Sequence, residues 1–175
     1  MTTREIKFIP EQCLREVCAP IEDINDETLK LADDMLQTMY DAPGIGLAAS
    51  QIGVLKRMFV LDVAERESEE DESVEREPMV FINPKITWSS EETSVYQEGC
   101  LSIPGVYEDV ERPSQVRVSF LGRDGKQQEI KASGLLATCV QHELDHLDGI
   151  LFIDYLSRLK RERIVKKMTK QAKQA

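Results

Sequence analysis

The two histidines of this 175-residue chain lie four positions apart, in a pattern that can bind a metal ion. His142 and His146 belong to the sequence QHELDH at positions 141–146, in which Glu143 directly follows the first histidine. On a helix, residues four apart share one face and lie about 6 Å apart along the axis. Two imidazoles placed this way can bind one metal ion, with the glutamate beside it as a base. We therefore predict a metal site on a helix.

The helix that carries these histidines is expected to be buried. Its other side chains are apolar almost all round, which is typical of a core helix: Leu135, Leu136, Ala137, Cys139, Val140, Leu144 and Leu147. Buried imidazoles and a buried carboxylate need polar partners, and a metal ion would supply them. The alternative, a helix with two surface histidines, fits these apolar neighbours poorly.

A catalytic metal site needs a third protein ligand and one open position for water. In the longer motif with a third histidine, that residue would stand at position 152, which is Phe152, so this class is excluded. Glu162 is the one glutamate after the motif, and it lies in a basic stretch, which makes it the weaker candidate. The third ligand is therefore expected upstream, as a cysteine, an aspartate or a glutamate.

Among the four cysteines, Cys100 is the best candidate for this ligand. Gly99 before it lets the backbone approach a ligand closely, and the carboxylate of Glu98 stands two residues ahead of the thiol. Cys139 shares a helix face with both histidines, but the seven residues from Cys139 to the second histidine span about 10.5 Å of helix axis, too far for one ion. The other two cysteines lie in an N-terminal segment without clustered partners.

Three short motifs follow one another at residues 44–51 (GIGLAASQ), 98–102 (EGCLS) and 141–146 (QHELDH). In these motifs and their order the chain resembles the peptide deformylases, and the extended CLSIP at 100–104 resembles the bacterial type. Residues 82–84 also look similar, and the resemblance covers nearly the whole chain. It implies an α+β fold and a metal-dependent hydrolase.

The resemblance implies a role for each motif residue. The metal ligands would be Cys100, His142 and His146. Glu143 would act as general base and then general acid, while the side-chain amide of Gln51 and the backbone N–H of Leu101 would stabilise the oxyanion. The substrate would be the N-formylmethionine end of a newly made polypeptide, and formate would be released.

The resemblance also implies a pocket for the methionine side chain. Its residues would be Ile45, Gly46, Tyr96, Leu135, Thr138 and Cys139, and Gly99 would also bind the substrate. Tyr107 stands where some relatives have an arginine that contacts the peptide backbone. Glu98 is expected to pair with Arg112 and to brace the turn before the thiol.

Ligand types alone favour Zn²⁺, because a cysteine and two histidines suit it well. The resemblance instead implies one Fe²⁺ ion per chain in the cell, with Zn²⁺ or Ni²⁺ as substitutes, and we follow the resemblance. Two other classes of function remain open. One is a metallopeptidase that cleaves internal bonds, and the other is a non-enzymatic protein with a closed structural zinc site, which needs a fourth protein ligand.

Composition places the chain among single-domain cytoplasmic proteins. A chain of 175 residues forms one domain with a real core, here a catalytic domain over 1–175 that we expect to be a monomer. The N-terminus is polar and no apolar run approaches 18 residues, so we expect neither a signal peptide nor a membrane partner. Cysteines without regular spacing suit a reducing cytosol. A net charge of −10 argues against broad nucleic-acid binding.

Charge is nevertheless uneven along the chain. Residues 65–77 are strongly acidic and are predicted to form a solvated insertion loop. Residues 155–175 are predicted to form a C-terminal basic helix, in which positions 158–173 carry eight Lys or Arg residues and one Glu. This helix is either a solvated end whose cations suit the helix dipole or a docking element for the phosphate-rich ribosome surface.

The remaining patterns predict the elements that must position these residues. A helix should run from Asn25 or Asp26 to about Tyr40, and the metal helix should be capped by Ser133 and end at Gly149. Strands are expected near 57–63, 79–88, 95–101, 106–111, 116–121 and 127–132. Together they predict an α+β fold, with antiparallel strands packed around a central metal-binding helix and a further C-terminal helix.

Overall fold

The computed structural model of the chain describes residues 2–64 and 74–174. Within these ranges the chain forms the α-helices α1 (Asp26–Asp41), α2 (Gly134–Leu147) and α3 (Arg158–Gln174). Its strands are β1 (Gly46–Ala48), β2 (Met58–Leu61), β3 (Met79–Ser89), β4 (Thr93–Cys100), β5 (Ile103–Pro113), β6 (Gln115–Leu121) and β7 (Gln127–Ser133). The predicted α+β class is confirmed. No helix in the described ranges has the length and hydropathy to cross a bilayer.

Five strands form one antiparallel sheet in the order β1-β2-β3-β6-β7, while β4 and β5 form a separate hairpin. Every residue of β2 is buried, because the strand lies between two helices. Phe59 packs in the cluster that contains Val140 of α2, whereas Met58 and Val60 pack in the cluster that contains Met35 of α1. A strand buried on both faces reads as a continuous apolar run, which explains the sequence MFVL.

The connection between β2 and β3 carries the acidic segment. The two strands pair antiparallel, with Phe59 opposite Phe81, so the segment joins neighbouring strands as predicted. Of the predicted insertion at 65–77, residues 65–73 lie outside the described residues. The short strand β1 was not predicted, because its three residues are small or apolar without a strand-like alternation.

The C-terminal helix differs from its prediction in two ways. It begins at Arg158 rather than near Tyr155, because Phe152–Tyr155 form a 3-10 turn and Ser157 Oγ then accepts the N–H of Lys160 at the start of the helix. The helix is also not solvated on all its faces, as a purely solvated end would be. Met168 is buried, and it packs together with Ile164, Val165, Ile9, Leu14, Ile103 and Phe152.

The end of α2 depends on Gly149. This residue has φ +76°, and a Cβ placed on it would lie 2.5 Å from the Arg15 carbonyl oxygen. A glycine is therefore required both by the backbone conformation and by the close approach of another chain segment. At the other end, Ser133 occupies the N-cap position as predicted, but its side chain makes no capping hydrogen bond.

Replacing Gly149 with alanine should destabilise the protein more than the same change at Gly125. Gly125 also has a positive φ, of +75°, but a Cβ there would meet nothing closer than Ile24 Cδ1 at 3.8 Å. We expect Gly125→Ala to cost about 1 kcal/mol from backbone strain alone. Gly149→Ala should cost about 3 kcal/mol, because the backbone clash adds to the strain. Denaturant unfolding measures both, and equal costs would contradict the clash.

Candidate active site

The three predicted metal ligands lie together although they come from two elements. His142 and His146 lie one turn apart on α2, and Cys100 is the last residue of β4. One ligand atom from each lies within 4.8 Å of the others, and Cys100 Sγ is 3.4 Å from His146 Nε2. Burial lowers the pKa of His146, which favours the neutral imidazole that a metal requires. The arrangement matches a site with three protein ligands and an open position.

In the described part of the chain, no other group of three or more His, Cys, Asp or Glu residues has its ligand atoms close enough together to hold one metal ion. The group contains three residues, and a closed structural zinc site needs four. The described residues therefore offer no fourth ligand, and this disfavours the interpretation of the site as a structural zinc centre. Cys139 is not part of the group, as its position on the helix predicted.

His142 is fixed by a buried ion pair. Its Nδ1 lies 2.9 Å from Glu98 Oε1, which leaves Nε2 for a metal ion. Arg112 holds the same carboxylate through two hydrogen bonds, from Nε to Oε2 at 2.7 Å and from Nη2 to Oε1 at 2.9 Å. Burial opposes ionisation, but the hydrogen bonds from His142 and Arg112 hold the pKa of the Glu98 carboxyl below its usual value. The predicted pairing of Glu98 with Arg112 is confirmed.

Two further residues extend this network, and sequence reasoning missed both. Arg112 Nη1 donates to Asp145 Oδ2 at 2.8 Å, and the Tyr155 hydroxyl donates to the same oxygen at 2.6 Å. Burial, and next the Asp145 carboxylate, raise the pKa of Tyr155 to about 12, so the hydroxyl remains a donor. Asp145 lies within the QHELDH motif, and this was an available signal. Nothing in the sequence places Tyr155 beside it.

Gln51 lies in a 3-10 turn that directly follows β1. Its side-chain oxygen accepts the N–H of Ala48 at 2.9 Å. Its Nε2 donates to Ser102 Oγ at 3.1 Å and lies 3.4 Å from Cys100 Sγ. These contacts hold an amide donor beside the three ligands. Leu101, whose backbone N–H is the other predicted donor, directly follows Cys100 and lines a cavity beside the ligands.

The Glu143 carboxylate lies beside the ligands. Its Oε1 is 4.0 Å from His142 Nε2, and its Oε2 is buried with no hydrogen-bond partner among the described residues. Burial raises the pKa of Glu143 to about 7. Gly46 on β1 makes the room for this side chain, because a Cβ there would lie 2.5 Å from Oε1. The carboxylate therefore has one free oxygen and a fixed position at the site.

A cavity of about 460 Å³ opens beside these groups. The residues predicted to bind the substrate all line it: Ile45, Gly46, Tyr96, Gly99, Leu135, Thr138 and Cys139. Tyr107 is exposed and also lines the cavity, and its ring lies against Gly99, where a Cβ would be 2.7 Å from the ring. Sequence reasoning missed Ile103, Pro104 and Val106, which also line the cavity.

Comparison with known proteins agrees with this geometry. The sequence profile of the family described as polypeptide deformylase matches residues 3–162. The chain belongs to the peptide deformylase family. Its members are enzymes of the hydrolase class, and their reaction removes the formyl group from the N-terminus of newly made polypeptides.

Individual peptide deformylases match over nearly the full length. That of Bradyrhizobium diazoefficiens is 58% identical over 175 residues, covering 100% of this chain and 99% of the relative. That of Rhizobium meliloti is 56% identical over 173 residues, covering 99% and 96%. A crystal structure of the Ehrlichia chaffeensis peptide deformylase in complex with actinonin has a TM-score of 0.90 at 40% identity, covering 98% of each chain.

The substitution Gly46→Ala, which adds a methyl group, should impair the deformylase activity without removing the metal. The new Cβ would displace the Glu143 carboxylate, while the three ligands keep their contacts. We expect kcat/KM for a formylated peptide to fall by about 10- to 100-fold, since small displacements of a catalytic group have effects of this size. Gly125→Ala is the comparison, because Gly125 does not line the cavity and its Cβ would meet nothing closer than Ile24 Cδ1 at 3.8 Å. Similar losses in both variants would contradict the role of Gly46.

Proposed function

We propose that this chain hydrolyses the N-formyl group of formylmethionine ends with one bound Fe²⁺ ion, releasing formate and a free amine. The supporting observation is the convergence of three ligand atoms, a carboxylate oxygen of Glu143 without a partner among the described residues, and an amide donor of Gln51. Of these residues, Gln51, Cys100, His142 and Glu143 line the cavity. The reaction needs a base, a donor for the oxyanion and room for the methionine side chain, and the residues that line this cavity offer a candidate for each.

The donor set fits a divalent transition-metal ion. The proposed ligands are Cys100 Sγ with His142 and His146, and Glu98 leaves Nε2 of His142 free. A thiolate and two neutral imidazoles suit Fe²⁺, Ni²⁺ and Zn²⁺. We propose Fe²⁺ in the cell, with Ni²⁺ or Zn²⁺ as substitutes. The ion would act as a Lewis acid that makes water reactive near pH 7.

Glu143 is proposed to move the proton in this reaction. Its Oε2 has no hydrogen-bond partner among the described residues, so no other group of these residues competes for a proton on this oxygen. The carboxylate would take a proton from the attacking water and later give it to the leaving amine, since one group can act as base and then as acid. Gly46 would keep the carboxylate close to His142 during both transfers.

Two donors are proposed to stabilise the negative charge on the formyl oxygen. Gln51 Nε2 is held by its neighbours at 3.4 Å from the thiol, and the Leu101 N–H belongs to the residue after the thiol. Donors that are fixed before the reaction pay no cost of reorientation when the charge develops, and one such donor contributes about 3–4 kcal/mol. The methionine side chain would lie against Ile45, Leu135 and the other predicted pocket residues.

Formate release from formyl-Met-Ala-Ser, with metal analysis of the same anaerobic sample, tests the proposal. The wild-type protein should release formate and contain about one iron per chain. Glu143→Gln should keep the metal and the fold but lose at least about 100-fold in kcat, because general base catalysis contributes this much. The isosteric change preserves the close contact with Gly46. Glu162→Gln, on the exposed face of α3, is the control and should be fully active.

An unformylated fluorogenic peptide provides the second substrate. Cleavage of its internal bonds without formate release from the first peptide would support the metallopeptidase instead. Near-normal turnover by Glu143→Gln would remove Glu143 from the mechanism.

We also propose that the chain works as one catalytic domain (1–175), as a monomer in the cytoplasm, and that α3 docks weakly on the ribosome. Cations on the exposed face of α3 support the docking: Arg163, Lys166, Lys167, Lys170 and Lys173. Although the chain has a net charge of −10, these cations form a local positive patch that attracts an anionic surface. The opposite face, with Met168, packs on the protein and holds the helix in place.

Neutralising part of this patch should weaken ribosome binding and leave catalysis unchanged. A truncation of α3 would remove Met168 from the core, so charge removal is the cleaner change. The triple variant Lys166→Gln, Lys170→Gln and Lys173→Gln should co-sediment with ribosomes several-fold less at low salt, because phosphate binding scales with the number of cations. Formate release should match the wild type.

The matched control removes three exposed lysines elsewhere, Lys56, Lys85 and Lys126. This control has the same net charge as the α3 variant. Equal loss of co-sedimentation in both variants would show that total charge, and not α3, governs binding.

A further inference from the structure

A chain of hydrogen bonds runs from the surface to the proposed metal ligand His142. The Tyr155 hydroxyl donates to Asp145 Oδ2 at 2.6 Å, and Arg112 Nη1 donates to the same oxygen at 2.8 Å. Arg112 then donates twice to Glu98, at 2.7 and 2.9 Å, and Glu98 Oε1 lies 2.9 Å from His142 Nδ1. Every link joins charged or strongly polar groups, so each bond is of the stronger kind.

Exposure falls along this chain towards the metal site. Tyr155 is 51% exposed, the Asp145 side chain 18%, and the side chains of Arg112 and Glu98 4% each. Tyr155 does not line the cavity and so has no place against the substrate. Any effect of Tyr155 on the reaction must therefore act through Asp145, Arg112 and Glu98.

The planar guanidinium of Arg112 couples the position of Asp145 to that of Glu98. One edge binds the Glu98 carboxylate and the remaining nitrogen binds Asp145, so the two carboxylates together fix its plane. Asp145 is partly exposed and can turn towards water unless its oxygen is held. Tyr155 holds that oxygen, and its ring lies 4.7 Å from Arg112 Cζ, where it also limits movement of the guanidinium.

We propose that Tyr155 is a positioning residue of the metal centre, which acts through Asp145, Arg112 and Glu98 to hold His142 in the orientation that binds the ion. The proposal rests on the metal site described under the proposed function. Outer partners of metal-binding histidines change metal affinity by about 10- to 100-fold. Tyr155 lies further out, so the loss of its hydroxyl should have a smaller effect.

Tyr40 offers a matched control within the same chain. Its hydroxyl donates to Asp62 Oδ2 at 2.6 Å, and Arg76 Cζ lies 4.1 Å from its ring centroid. The local chemistry therefore repeats that of Tyr155: a phenol that donates to a carboxylate, with a guanidinium over the ring. Asp62 lies after β2 and makes no hydrogen bond or ion pair with a proposed metal ligand.

The test compares Tyr155→Phe with Tyr40→Phe in the full-length, Co²⁺-loaded protein. Decay of the thiolate-to-cobalt absorption after addition of excess chelator gives the rate of metal release. We expect release about 3- to 10-fold faster for Tyr155→Phe and unchanged for Tyr40→Phe. Thermal unfolding of the loaded proteins reports the general loss of a hydrogen bond, which both variants share. For Tyr155→Phe, KM for formyl-Met-Ala-Ser should stay constant while kcat falls.

A double-mutant cycle tests whether Tyr155 acts through Asp145. Asp145→Asn should by itself release Co²⁺ about 10-fold faster. Adding Tyr155→Phe to Asp145→Asn should then change the rate little, because residues that act through one another are not additive. Additive effects would overturn the proposed route.

Release at the wild-type rate from Tyr155→Phe would overturn the proposal, and so would equal acceleration by Tyr40→Phe. A wild-type protein that binds no metal would instead overturn the proposed metal centre, and the positioning role with it. The two failures are thus distinguished by the wild-type sample alone.

Discussion

The buried pair of Glu98 and Arg112 is the interaction on which the site depends. Two charged side chains in the interior are costly to desolvate, and they are tolerated here because Glu98 accepts bonds from both Arg112 and His142. The pair also has a geometric consequence. Glu98 and Arg112 lie on the β4–β5 hairpin, which is not part of the five-stranded sheet, while His142 and Asp145 lie on α2. The pair therefore joins the two halves of the metal site.

Cys100 reaches this site through an irregularity of the hairpin. Glu98 pairs with Glu108, but Cys100 pairs with Ile103, so the strand register shifts between the two. Such bulges change the direction of a side chain relative to its neighbours. Here Glu98 approaches Nδ1 of His142, while the thiol approaches Nε2 of His146. The Glu98 carboxylate thus orients His142, and Cys100, two residues later on the same strand, supplies a ligand.

The helical part of the site could be predicted because its chemistry is local in sequence, whereas the roles of Gln51 and Leu101 followed from the resemblance to the family. The spacing of His142 and His146 places both on one helix face, and the apolar residues around them indicate a buried helix. The contact between Asp145 and Tyr155 could not be predicted. It depends on the path of the chain between the end of α2 and the 3-10 turn that contains Tyr155. The packing of α3 was missed for a different reason. Ile164 and Met168 have helical spacing, but the many cations around them suggested a fully solvated helix.

The start of α3 and the turn before it contact both the β4–β5 hairpin and α2, the two elements that carry the proposed metal ligands. Lys160 Nζ lies 3.2 Å from Glu108 Oε2 on β5, and Tyr155, in the turn before the helix, holds Asp145 on α2. Further along, Met168 packs in the same cluster as Ile103, which follows the thiol by three residues. Contacts at both ends of the helix therefore fix its direction relative to the cavity. A partner bound to the exposed cations of α3 meets a surface whose orientation towards the active site is set by the same hairpin and helix that hold the metal ligands.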